Sequence, residues 1–540
     1  MLKMVDGTGI IGVDMVCPLG GTVSPPQPPN YDKVEVEGVG NLMLPNSLKA
    51  PLERVELIGN SVQGENPAPD NPQEIKSAGR KSKNLFNIAD LRVGQVQKDG
   101  TINEKQIYYR TVILDVPQDG KYRITFNSND DYTMLYFTEA YANGVYSNPY
   151  LRVHAGSPNY YITLAKGKNI LSFSTHTASG NIVFTTDHNI MIAAESETLD
   201  YEPYGYFFDV KVTGKNLFPY SNDFSNWKKR VNDSYFGSVT SDESGMKIES
   251  LKPYANMVSP IFKLKPNTEY TVSAMIDTKD KSKSIGVRIF KNLNVSDYLK
   301  QIVIAARKST NESQKISATF TTDDLKDTNE VYLQLDCSWG DSILPTIVTF
   351  YDIQLELGNN ATTYEPYTEQ SVQIAIDEPL RGIGDYKDML TKDGVVRKIK
   401  RVVLDGSENW AIHKEKEATV SFSTNSFKFT FPTHSMMLVD KFAYVISGMN
   451  KEDVSWSVYG SNFYININKD IASNLESFKT WLSQNPVTVV YIATEPTTEP
   501  LPQSVQAQLQ ALRSENGVTH VFVDSGEVPC GIKLTYRKEI

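Results

Sequence analysis

Cysteine, histidine and long apolar runs are scarce in this sequence. The three cysteines, Cys17, Cys337 and Cys530, lie far apart, which excludes a CxxC pair and a secreted disulfide framework and leaves buried free thiols as the expectation. The six histidines, His154, His176, His188, His413, His434 and His520, show no metal-ligand spacing and stand in no nucleophile motif. No window approaches the ~20 apolar residues of a membrane span, so no membrane insertion is expected. The N-terminal segment contains Asp6 and Asp14 and lacks a charged region followed by an apolar core, so no export signal is expected and synthesis is placed in the cytoplasm.

Positive charge is also short and scattered, as at Lys228, Lys229 and Arg230, and the net charge is −10. Without clustered Lys and Arg a nucleic-acid partner is excluded. Glycoside hydrolysis needs two carboxylates about 5–10 Å apart in space. The adjacent acids Asp130-Asp131 and Asp323-Asp324 point to opposite faces in a strand and to solvent in a turn. No P-loop context accompanies the glycine-containing segments. The expectation is a protein that is not an enzyme.

What is abundant is material for β-structure. The chain has 540 residues, 40% of them hydrophobic, with 29 Tyr and 22 Phe, too long for one core and apolar enough to fold as roughly three to five domains. Gly20-Gly21 and Ser24-Pro25-Pro26-Gln27-Pro28-Pro29 exclude a long helix near the start. Residues 1–50 read as an arm and attachment region, and 51–80 as a strand with a Pro-rich linker at Asn66–Pro72.

A repeat organises the middle of the chain. Lys83-Asn84-Leu85-Phe86 opens one module and Tyr201-Glu202-Pro203-Tyr204 closes it; Lys215-Asn216-Leu217-Phe218 and Tyr364-Glu365-Pro366-Tyr367 do the same for a second. Asn189 and Asp352 each stand twelve residues before the closing tyrosine. The alternation after them puts Ile190 and Ile192, or Ile353, Leu355 and Leu357, on one buried sheet face. Short Val/Ile/Thr/Tyr/Phe-rich runs between turn signals, such as Val287–Phe290 and Val331–Leu335, indicate antiparallel sandwiches over residues 81–205 and 213–368. The fold class expected is mainly β and multidomain: two antiparallel β-sandwich modules in tandem, then an α+β domain over 372–540. In that last domain Ser473 and Glu476 form a capping-box pattern ahead of a Leu475, Phe478, Leu482 stripe that Pro486 ends, and Val505, Leu509 and Leu512 mark a second helix.

The phrases SVQGENPAPDNPQEI, KNLFN, the paired YEPY closings, PLRGIGDYKDML with KDGVV and VVLDGSENW, and SNLESFKTWLSQNPVTVVYIATEP run in order from about residue 52 to the end. Together they resemble minor structural, baseplate and tail-appendage proteins of phages and prophages of Gram-positive bacteria. The second module, with Asn216-Leu217-Phe218, Asn222-Asp223-Phe224, Trp227 and Tyr351-Asp352-Ile353, also looks like a carbohydrate-binding-module jelly roll; the first departs from it, with Asn189 in place of Asp352. The resemblance implies a virion protein of a tail or tail-like particle. Its arm would join other tail or baseplate proteins, and its jelly rolls would bind host cell-wall glycans as a homo-oligomer, most plausibly a trimer. A purely structural spacer and an accessory part of a wall- or capsule-degrading hydrolase are the alternatives.

Sugar binding needs aromatic rings to stack on pyranose faces and a few polar groups for hydroxyls. Tyr108 and Tyr136 in the first module and Trp339 in the second are the candidate rings, although tyrosines in pleated sheets commonly serve core and interface. By resemblance to such jelly rolls, which often hold one structural calcium near that strand, Asp352 is a candidate calcium ligand.

Overall fold

The period-two patterning folds into antiparallel strands throughout, with two short helices near the C-terminus. The computed structural model describes residues 31–127, 134–157, 159–174, 188–197, 200–221, 223–242, 244–279, 285–291, 301–306, 313–322, 330–338, 340, 342–430, 436–445 and 454–540, with the strand pairs Val5–Asp6/Gly9–Ile10 and His176–Thr177/Gly180–Asn181. Among the described residues no helix is long and apolar enough to cross a membrane.

A central 12-stranded sheet gathers strands from both ends of the chain and from its middle. Tyr31–Val39 pairs along its whole length with Gly531–Glu539, Asn41–Ser47 pairs with Gly517–Asp524, and Arg54–Ile58 pairs with Gly531–Glu539 and Met389–Leu390. Residues 31–47, expected within the arm of 1–50, are thus strands of this sheet, and the strand expected within 51–80 is Arg54–Ile58. Leu42, Leu44, Val55 and Leu57 bury their side chains against Val521, Ile532 and Leu534, and such distant partners leave no mark on the local pattern. The Pro-rich stretch is likewise the tip of a hairpin, where Ala68 and Asn71 exchange backbone hydrogen bonds between the paired strands Ser61–Gln63 and Ile75–Ser77.

The sandwiches leave this sheet and return to it. Arg80–Lys81 precedes the first and pairs with Tyr206–Thr213, which follows it; Tyr206–Thr213 in turn pairs with Glu369–Ile376, which follows the second. The modules are therefore in tandem along the chain, with a strand of a third domain between them. A further excursion between the paired strands Gly394–Leu404 and Val487–Pro500 forms a four-stranded sheet packed on the helix Leu475–Gln484. Phe478 stacks on Phe422 there, with ring centroids 4.0 Å apart. The helix is capped by Asn474, whose side chain accepts from Ser477 N, one residue beyond the cap read from the sequence. The second helix spans Gln503–Ala511 and buries Leu509.

The two sandwiches share a strand plan. In the first, Gly167–Ser174 lies between Tyr109–Val116 and Met134–Ala142; in the second, Glu330–Asp336 lies between Asn256–Val258 and Gly286–Lys291. The repeated residues pin the entry and closing segments together. Asn216 Nδ2 donates to Ile353 O and Glu365 O, while its Oδ1 accepts from Phe218 N and Leu355 N. Asn84 likewise donates to Ile190 O and accepts from Phe86 N and Ile192 N. Asn189 and Asp352 both adopt positive φ, 46° and 51°, a conformation that short polar side chains tolerate better than other L-residues. Met275 pairs with Tyr351 and Ser273 with Gln354, so Asp352 and Ile353 together face Ala274 in a β-bulge. The closing strands end at Ala194 and Leu357, before Tyr201 and Tyr364, which lie in the segments returning to the central sheet.

Asn216 is fully buried, so truncation would strand several backbone groups, at ~1–3 kcal/mol for a typical buried group. Asn216→Ala in the full chain is expected to lower hydrogen-exchange protection across the second sandwich on the order of a hundredfold and to leave the first unchanged; equal protection in both proteins would contradict the clamp.

Candidate functional site

The outer face of the sheet containing Glu330–Asp336 gathers polar and aromatic side chains. Val331, Leu333 and Leu335 point into the sandwich core, so Tyr332, Gln334 and Asp336 point to the other face. Across the ladder Gln334 is opposite Val258 and Arg288, and Val258 is opposite Lys228. Arg288 Nε lies 2.5 Å from Asp336 Oδ2, and Gln334 Nε2 donates to Asp336 Oδ1 at 2.6 Å. Arg230 donates to Gln334 Oε1 and lies over the Phe290 ring, 5.4 Å from its centroid, while Phe290 stacks on Tyr332. Asn256, opposite Asp336, is buried, and its Oδ1 has no hydrogen-bond partner among the described residues. Beside this network opens a cavity of about 580 Å³, with Lys228, Arg230, Tyr332 and Asn226 among its lining residues.

The cleft thus sets an aromatic ring and two cations beside a buried polar network that holds Gln334 and Asp336. Residues 204–339 match the family model of a carbohydrate binding domain, CBM_4_9. The matched segment takes in most of the second sandwich, including the cleft and the buried network beside it. No curated protein matches the chain. Among solved structures, "CBM4 structure and function" is 17% identical, covering 27% of this chain and 97% of that one at a TM-score of 0.21. A tandem CBM22 domain from Paenibacillus barcinonensis is 11% identical over 60% of this chain and 99% of its own, TM-score 0.19. The tripod from the baseplate of bacteriophage Tuc2009 is 13% identical over 39% and 82%, TM-score 0.19. Likenesses at these scores carry no functional weight.

The sequence-predicted residues fall elsewhere. Trp339 lies outside the described residues. Tyr108 is 47% exposed in the first sandwich. Tyr136 flanks Ser174 opposite Tyr109 on the outer face, but the Arg152 guanidinium covers its ring at 5.2 Å. The next row on that face, Thr111, Ser172 and Glu139, is buried. The chain's own segment roofs it, with Val96 N donating to Ser172 Oγ and Thr111 Oγ1 donating to Gly94 O, each at 2.8 Å. In the second sandwich Gln334 and Asp336 are likewise buried on the equivalent face, and the cleft lies beside them at Lys228 and Tyr332. Asp352 sits on the other sheet of that sandwich, away from the cleft. Burial raises the Asp352 pKa and the Lys315 ammonium opposes the rise; among the described residues no three His, Cys, Asp or Glu side chains come together. The β-bulge by itself favours an Asp or Asn at the position.

Sequence reasoning missed Arg230, Arg288, Tyr332, Gln334 and Asp336. The signal was the polar half of the alternation in Val331–Asp336, with Arg288 interrupting Val287 and Ile289.

Burial pushes the Asp336 carboxyl up to about 6, against the pull of Arg288, Gln334 and Arg230. Because the folded-state value lies above the unfolded one, the native state binds the extra proton between about pH 4 and 6, so this group's contribution to stability is present below that window and is lost as pH rises through it. The difference is on the order of 3 kcal/mol. Hydrogen-exchange protection of this domain is expected to increase from pH 7 to pH 5, after correction for intrinsic exchange, and Asp336→Asn is expected to flatten that slope. An unchanged slope in the variant would exclude Asp336 as its source.

Proposed function

We propose that this chain is a structural component of a phage tail, baseplate or tail-like particle, and that its second sandwich binds host cell-surface glycans during adsorption. The observation supporting the glycan reading is the cleft lined by Asn226, Lys228, Arg230 and Tyr332, inside the segment that matches a carbohydrate binding domain. The virion reading rests on the phage-like phrases in the sequence. In it the chain is a binder and not an enzyme, residues 1–30 join other tail or baseplate proteins, and a homo-oligomer, most plausibly a trimer, multiplies weak single sites through effective concentration.

Full-length protein is expected to be retained on purified host wall polysaccharide without releasing reducing ends. Tyr332→Ala is expected to weaken retention about tenfold through loss of stacking worth ~1.5 kcal/mol. Failure to bind any wall glycan would leave a tail spacer, and release of reducing ends would make the chain part of a hydrolase. Attachment is tested separately: a chain lacking residues 1–30 should keep its thermal transition and be absent from assembled particles. Normal incorporation would overturn the attachment role.

A further inference from the structure

We propose that the cleft of the second sandwich selects an anionic saccharide, one bearing carboxylate or phosphate groups, over a neutral one. The inference rests on the glycan-binding reading and names the ligand class of that same site. Directly paired residues of antiparallel strands project to the same face, so the register Lys228–Val258–Gln334–Arg288 places Lys228 on the face where the cavity opens. Arg230, two residues on, shares that face.

Lys228 and Arg230 are the charged groups among the described residues lining the cavity, and both are positive. The acid on this face, Asp336, is fully buried, with Arg288 Nε at 2.5 Å and Gln334 Nε2 at 2.6 Å. Its charge is compensated before it reaches the cleft. The hydrogen bond to Gln334 and the Phe290 ring fix the Arg230 guanidinium, so little order has to be gained when it meets a ligand. Lys228 is exposed and forms no ion pair among the described residues. Lys229 points to the opposite face, 2.7 Å from Asp233 and over the Phe236 ring.

A neutral sugar offers these cations hydroxyl oxygens, while a carboxylate or phosphate offers charge-assisted bonds roughly twice as strong. The net charge of −10 repels anions at long range, so a preference for them has to arise locally.

Calorimetry on the full chain with a galactose trimer, a galacturonic acid trimer and a phosphate-bearing galactose trimer, at low and high salt, tests the selection. At least one anionic trimer is expected to bind about tenfold tighter than the neutral one, with an advantage that shrinks in salt; which one does so assigns carboxylate or phosphate. Lys228→Gln should reduce the anionic-to-neutral ratio several-fold, and Lys229→Gln should preserve it. Equal affinities for all three trimers, or a ratio unchanged in Lys228→Gln, would overturn the selection and leave the glycan reading standing. Binding of none of them or of host wall polysaccharide would overturn both.

Discussion

The strand Tyr206–Thr213 ties the molecule together. It follows the first sandwich and precedes the second, and it pairs with Arg80–Lys81, Glu369–Ile376 and Gly517–Asp524. Phe208, Val210 and Val212 fix its register by burying one face in the central core, because a one-residue slip would turn all three outward. The opposite face is closed at its start by Phe207, over which the Arg80 guanidinium lies at 5.0 Å. The ends of both sandwiches are therefore set by a hydrogen-bonded ladder.

The same economy appears where each sandwich begins and ends. A buried asparagine bridges the entry segment and the closing strand, and a positive-φ Asn or Asp precedes the clamped residues. The phage-like phrase around PLRGIGDYKDML has a comparable role in the central sheet. Asp388 accepts from Arg381 N, Lys398 N and Ile399 N, and Arg397 lies 3.6 Å away while donating to Pro379 O and Glu378 O. A buried carboxylate without such partners would cost several kcal/mol. These motifs identify an architecture; the residues that line the cleft lie elsewhere.

Between the sandwiches, a shared strand plan serves different ends. The first spends the outer face of its long sheet on its own chain, which roofs Thr111 and Ser172. The second buries a charge-compensated network on the equivalent face and has a cleft beside it, lined by Lys228, Arg230 and Tyr332. Fold alone does not assign a site; here the side chains carried on the outer face distinguish the two.

The sequence by itself determined what depends on near neighbours: the strand periodicity, the repeated marks at Asn84/Asn216 and Asn189/Asp352, the two C-terminal helices, and the mainly β, multidomain class. These features are local, since side chains two residues apart share a strand face and those three or four apart share a helix face. Only the tertiary structure decided that Tyr31–Ile58 belongs with the C-terminal strands, because pairing across nearly the whole chain leaves no local periodicity of its own. It also decided the site. Tyr332, Gln334 and Asp336 are recognisable in sequence as the polar side of a strand, but whether that side meets solvent, a neighbouring strand or a roof depends on which segments fold over it. In the second sandwich Arg230 and Arg288 reach it and a cleft lies beside it, whereas in the first Gly94 and Val96 cover it.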